Sequence, residues 1–142
     1  MATLYSRETA GVGLNPQVKI TDVAQRGRLK TLRATIDLAS QANTDIIFLG
    51  NRPAGSRFNR GFITNSVSLA TSTLSIGPIG TPAKYKALAA GLTAVDTPTV
   101  FGLASAMAAA SLTADEAIYL TTGTTPLPAT GILVIDIEYI ES

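Results

Sequence analysis

The 142-residue chain contains no histidine, no cysteine and no tryptophan. Histidine is the side chain whose unperturbed pKa lies near neutrality, and cysteine is a ready nucleophile and a leading zinc and copper ligand. Their absence excludes disulfide bonds and cysteine nucleophiles and removes the commonest acid–base residue. The composition therefore favours a surface that binds over a pocket that reacts, and we expect no catalytic, cofactor-binding or metal-binding residues.

Charge is scarce as well. Charged residues make up 15% of the chain and hydrophobic residues 46%, whereas a typical soluble domain is about 25% charged. Mixed surface charge keeps monomers apart, so we expect copies of the chain or a partner to cover part of its surface. The net charge of +1 gives no general attraction to nucleic acid or membrane.

The basic residues are unevenly distributed. Residues 1–60 hold nine of the eleven basic side chains, and the remainder holds six of the ten acidic ones. This asymmetry could steer a partner to one face, or it could cancel when the fold interleaves the two halves. The first residues contain no apolar stretch long enough for a signal peptide, and no window of the chain is apolar enough for a membrane span, so we expect synthesis in a cytoplasm.

Hydrophobic periodicity predicts the organisation of the chain. Residues 1–24 are polar, show no sustained period and are predicted to form an extended N-terminal arm, with one short strand near 18–20, before a single domain at 25–142. Apolar residues alternate with polar ones from 29 to 38, which predicts a strand with one solvent-exposed face. The continuous apolar run at 46–49 predicts a strand covered on both faces.

Further strands are predicted at 57–69, 71–76, 117–121 and 132–140, and Gly61 within the first of them indicates a bulge or a close backbone approach. Residues 83–90 could form a short helix or a loop with one helical turn, and the alanine-rich segment 103–112 is assigned to a long crossover. Six to eight strands without regular helix alternation predict an all-β, antiparallel β-sandwich of the jelly-roll or a related type.

Two constellations of side chains have competing interpretations. Asp136 and Glu138 share one face of the last strand, which is typical of a solvated strand face rather than of a catalytic dyad. Alternation places Arg60 on one face with Phe58 and Phe62, a mixture found in single-strand nucleic-acid sites. Core aromatics beside an arginine explain the pattern better, because the net charge is low for a dedicated binder. We therefore expect no direct binding of nucleic acid.

The order of several segments resembles the small capsid decoration, or cement, proteins of tailed bacteriophages. The likeness extends over about residues 29–140 and rests on a rhythm of strands and turns. The segments that carry it are TLRATIDLA at 31–39, FLG at 48–50, PAG at 53–55, TLSIG at 73–77, KY at 84–85 and GILVIDIEY at 131–139.

The resemblance implies a non-enzymatic virion protein that forms β-sandwich homotrimers on the outer capsid surface and bridges subunits of the major capsid protein. The resemblance also implies synthesis in the cytoplasm of a host bacterium, no cofactor and no membrane partner. The candidate capsid contacts are an aromatic and five basic residues: Tyr5, Arg7, Lys19, Arg26, Arg28 and Arg33. Two alternatives remain: a tail or connector subunit, and a carbohydrate-binding β-sandwich, which the absence of tryptophan disfavours.

Overall fold

The computed structural model of the chain describes residues 28–43, 45–89 and 92–141. These residues form eight strands and one short helical turn. In chain order the elements are β1 (Arg28–Asp37), β2 (Ile46–Arg52), β3 (Arg57–Asn65), β4 (Thr73–Gly77), β5 (Lys86–Ala89), β6 (Thr99–Phe101), α1 (Ala104–Met107), β7 (Glu116–Gly123) and β8 (Ile132–Glu141). The arm at 1–24 and the strand near 18–20 lie outside the described residues, and the domain boundary at residue 25 stays a prediction.

The strands pair into two antiparallel four-stranded sheets. Sheet A has the strand order β1-β8-β3-β6, and sheet B has the order β2-β7-β4-β5. The chain changes sheet at every connection between consecutive strands except β4–β5. This arrangement confirms the predicted all-β, antiparallel sandwich.

The core lies between the two sheets. In β8, Leu133, Ile135 and Ile137 are fully buried, and in β7 so are Ile118 and Leu120. Successive side chains of a strand point to opposite faces, so each of these residues directs its side chain toward the opposite sheet. The alternation in the sequence of β8 is therefore confirmed, and the same holds for the second half of β1, where Leu32, Ala34 and Ile36 face the core.

A buried amide closes one end of the sandwich. Asn65, the last residue of β3, is 1% exposed, and its Nδ2 donates hydrogen bonds to the carbonyls of Val67 (2.6 Å), Leu92 (3.4 Å) and Ala94 (2.9 Å). One side chain thus joins the β3–β4 connection to the β5–β6 connection.

Strand β3 approaches its neighbour β6 closely at Gly61. A Cβ atom at Gly61 would lie 2.1 Å from the Cζ atom of Phe101, its cross-strand partner. The predicted close approach is therefore confirmed. The bulge itself lies two residues earlier, where the register with β8 shifts between Phe58 and Arg60.

The structure differs from the expectations at the short elements. Residues 86–89 of the segment proposed to be a helix or loop form β5 instead, because their backbone pairs with β4. The three-residue β6 was not predicted. The alanine-rich segment does lie in a long crossover, from β6 to β7, and contributes only the helical turn α1.

Candidate interaction surfaces

The outer face of sheet A bears paired charges. The guanidinium of Arg33 on β1 donates two hydrogen bonds to Asp136 on β8, from Nε to Oδ1 (2.6 Å) and from Nη2 to Oδ2 (2.7 Å). Glu138 accepts hydrogen bonds at Oε2 from Arg60 Nε (3.2 Å) and Asn59 Nδ2 (3.0 Å). These pairs follow from register, because Arg33 and Arg60 are cross-strand partners of the two carboxylates. Asp136 and Glu138 therefore serve as ion-pair partners on a strand face.

The pKa of Arg33 is raised by its hydrogen bonds to Asp136 and by the negative charge of that carboxylate. Its guanidinium is thus engaged within the chain. Arg28, the first residue of β1, is exposed. Of the six candidate capsid contacts these two are the ones described; Tyr5, Arg7, Lys19 and Arg26 lie outside the described residues and stay predictions.

The expected grouping of Arg60 with two phenylalanines is wrong. The bulge at Asn59 turns Phe58 inward, where it is 3% exposed and its ring centroid lies 4.6 Å from that of Tyr85. Phe62 stays on the outer face, and the guanidinium carbon of Arg60 lies 5.2 Å from its ring centroid. One half-buried ring beside one arginine does not make the row of stacking aromatics that a single-strand binding face needs.

A polar cluster lies at the end of the sandwich where β2 ends and β7 begins. The Tyr85 hydroxyl donates a hydrogen bond to Glu116 Oε1, and Lys84 Nζ donates one to Glu116 Oε2 (2.6 Å). Arg52, the cross-strand partner of Glu116, is 2% exposed, and its guanidinium carbon lies 5.3 Å from the centroid of the Tyr85 ring. Among the described residues, Nε and Nη1 of Arg52 have no hydrogen-bond partner.

Burial and hydrogen bonds set the protonation of this cluster. Burial alone would raise the pKa of Glu116, but the hydrogen bonds from Lys84 and Tyr85 and the cations of Lys84 and Arg52 outweigh it and leave that pKa below its ordinary value. Burial raises the pKa of Tyr85, and the hydrogen bond to Glu116 raises it further. Burial also lowers the pKa of Arg52. The ionised carboxylate of Glu116 thus joins the β4–β5 connection to β7. The sequence did not predict this contact, because it depends on the register between distant strands.

The outer face of sheet B differs from that of sheet A because its strands β2, β7 and β4 carry no charged residue at the outward positions. Ile46 and Phe48 on β2 are 52% and 54% exposed. The ring centroids of Phe48 and Tyr119 lie 5.4 Å apart. The remaining outward positions are small or polar: Asn51, Thr73, Ser75, Gly77, Ala117, Thr121 and Gly123. Ser75 and Gly77 on β4 are buried, so the exposed part of this face lies on β2 and β7. The prediction that β2 is covered on both faces is wrong for the isolated chain, since only Ile47 and Leu49 face the core.

A shallow groove lies between the β4–β5 connection and α1. Its volume is about 450 Å³, and its walls are formed by Ala83 and Lys84 on one side and Leu103 and Ala106 on the other. Lys84 already pairs with Glu116, so the groove is mainly an apolar surface.

Neither a metal-ligating cluster nor an apolar helix of membrane-spanning length occurs among the described residues. Their carboxylate side chains form no group of three or more that could hold a metal ion. Their helices include none long and apolar enough to span a bilayer.

Comparison with known proteins gives the fold. Neither a family model nor a curated protein matches the chain. A chain in the capsid asymmetric unit of cyanophage Pam1 matches with a TM-score of 0.67 and 13% identity, over 82% of this chain and 86% of that one. The capsid of Ralstonia phage GP4 contains a match with a TM-score of 0.64 and 19% identity, over 82% and 86%. The acidic stable capsid structure of Helicobacter pylori bacteriophage KHP30 contains another, with a TM-score of 0.57 and 12% identity, over 79% and 86%. At these identities the likeness establishes a shared fold.

Proposed function

We propose that the chain is a structural virion protein of a tailed bacteriophage. In this proposal it is a homotrimeric decoration protein that binds the outer capsid surface and bridges subunits of the major capsid protein. The observation that carries the proposal is the likeness to chains in three phage capsid structures, which extends over 79–82% of this chain and 86% of each of those chains.

The strand order supports this assignment. The order β1-β8-β3-β6 facing β2-β7-β4-β5 fits an eight-stranded jelly roll of two Greek keys, an architecture common in viral capsid domains. The first and last strands lie side by side in such a sandwich, and β1 pairs with β8 along ten residues. A sandwich closed in this way is a rigid body that can present several contacts at once.

A non-enzymatic role agrees with how three of the described carboxylates are used. Asp136 and Glu138 are held by arginines, and Glu116 is held by Lys84 and Tyr85. A general acid or base needs a carboxyl group free to exchange its proton with a substrate. These groups serve instead to join strands and loops.

Capsid attachment would combine the N-terminal arm with charges near the start of β1. Residues 1–24 would order along a capsid subunit by adding a strand or wrapping a loop. Of the two described candidates, Arg28 is the stronger one for an electrostatic contact with the capsid, because Arg33 is already paired with Asp136. Weak contacts on one trimer act together, since the first to form raises the effective concentration of the others.

The test is reconstitution on phage heads that lack this chain. We expect the purified chain to co-sediment with the heads, to saturate in multiples of three copies, and to appear on their outer surface by electron cryomicroscopy. A chain of residues 25–142 should still trimerise but bind more weakly, and Arg28→Glu should weaken binding most at low salt. Location in the tail or connector, rings of another order, or no binding to heads would refute the proposal.

A carbohydrate-binding module is the second candidate, because the exposed ring of Phe48 beside Tyr119 resembles a surface on which a sugar could stack. Screening the purified chain on a glycan array separates the two functions. Binding of a defined glycan that Phe48→Ala abolishes would favour this candidate over capsid decoration.

A further inference from the structure

The two outer faces of the sandwich differ in charge. On sheet A, Arg33, Asp136, Arg60 and Glu138 make the surface polar while leaving it nearly neutral. On sheet B, the outward positions of β2, β7 and β4 carry no charged residue. Surfaces that stay in water normally intersperse charges of both signs, and charge-free apolar faces mark contacts. The β2–β7 part of sheet B therefore has the composition of a covered surface.

The strand edges next to this face are protected against strand addition. In β2 the register with β7 shifts between Phe48 and Gly50, which is a bulge, and Pro53 follows the strand directly. The edge of β1 carries three basic residues. Bulges, prolines and basic side chains are the devices by which sheets avoid edge-to-edge pairing. A partner on this side of the molecule is thus directed to the face of sheet B rather than to its edge.

We propose that the outer face of β2 and β7, centred on Phe48 and Tyr119, is where the chain packs against a second copy of itself. When three such faces converge about a trimer axis, uncharged side chains pack against uncharged side chains. No charged side chain is then desolvated without an ion-pair partner. Phe48 and Tyr119 would form the centre of the contact, because large aromatic residues carry much of the binding energy of interfaces. The inference deepens the proposed function, on which it rests for the expectation that copies associate.

The size of the face sets the strength expected of the contact. Two strands about 4.8 Å apart and about six to seven residues long give a face of roughly 200 Å². A stable interface buries about 800 Å² per partner. The face alone therefore supports reversible association, and residues flanking it must complete a permanent trimer. We expect the mass of the purified chain to rise with concentration from the 14.7 kDa of the monomer toward three times that value.

The experiment is sedimentation equilibrium of the wild type, Phe48→Asp and Val100→Asp over a concentration series. Val100 is the matched control, because it is 60% exposed on an outer strand position of sheet A, paired with Phe62. We expect Phe48→Asp to weaken association at least roughly tenfold and Val100→Asp to associate like the wild type. Circular dichroism verifies that each variant folds, and Phe48→Ser serves if the aspartate variant does not.

A wild type that stays monomeric at every concentration would refute the inference. So would equal weakening by the two aspartate variants, or no effect of Phe48→Asp. Binding of the same variants to phage heads separates the two proposals. If Phe48→Asp abolishes head binding but leaves self-association intact, a capsid subunit covers the face and the inference is wrong. If self-association depends on Phe48 but no variant binds heads, the inference stands and the proposed function fails.

Discussion

Replacing Gly61 with alanine should destabilise the sandwich through a single steric contact. The new Cβ would lie 2.1 Å from Phe101 Cζ and 2.5 Å from both Cε atoms of that ring. Phe101 is 7% exposed, so its ring can leave this position only by displacing its neighbours in the core. Overpacking of this kind costs about 1–3 kcal/mol. For a domain of this size such a loss corresponds to a fall in Tm of roughly 3–10 °C.

The measurement is urea denaturation at one fixed protein concentration, with Gly80→Ala as the control. Around Gly80 no described atom lies within 4 Å of the added Cβ, and its φ is not positive, so that variant should match the wild type or exceed its stability slightly. Leucine at position 101 lacks the ring edge, so Gly61→Ala should destabilise a Phe101→Leu background less than it destabilises the wild type. Equal stability of the Gly61 and Gly80 variants, or strict additivity of Gly61→Ala and Phe101→Leu, would contradict the steric argument.

The remaining predictions concern two buried polar groups. Asn65→Ala should lose roughly 1–3 kcal/mol of stability, because the three carbonyls that accept hydrogen bonds from the amide would lose their donor. Asn65→Asp should lose more at neutral pH and recover partly in acid, where the protonated carboxyl can donate; the order of the two variants in urea denaturation at pH 7 checks this. The lowered pKa of Glu116 stabilises the fold above its ordinary pKa and ceases to do so as the pH falls through the folded value. The deficit of Glu116→Gln should therefore be constant near neutrality and shrink in acid, and a deficit that grows in acid would reverse the assigned sign.

The long strands were predictable because their sequences repeat every two residues. Ile135 and Ile137 alternate with Asp136 and Glu138, and both isoleucines are fully buried. The same pattern cannot locate strands of three or four residues. Such strands are defined by their pairing instead, β5 with the preceding β4 and β6 with the distant β3. For the candidate capsid contacts, the sequence does not show which basic residues are already paired within the chain. Arg33 is an example, since Asp136 becomes its neighbour only through the pairing of β1 with β8.

Strand β2 shows a different limit. A run of four apolar residues indicates that both sides of a strand avoid water, but it does not say which molecule covers the second side. Within the chain, Ile47 and Leu49 are covered by the core, whereas Ile46 and Phe48 are about half exposed. The expectation of two covered faces was wrong for the monomer, and it would be correct for the assembly if copies associate as proposed.

The topology separates the surface proposed for self-association from the place where the arm would leave. Arg28 begins β1 opposite Glu141, at the end of the sandwich where Arg52 ends β2 opposite Glu116. Arg28 therefore lies at the same end of the sandwich as the cluster in which Glu116 joins the β4–β5 connection to β7. A rigid loop end is suited to contacts with a capsid subunit, because little ordering is needed on binding. Trimer contacts through the face of sheet B would leave this end free, so one rigid unit could serve both kinds of contact.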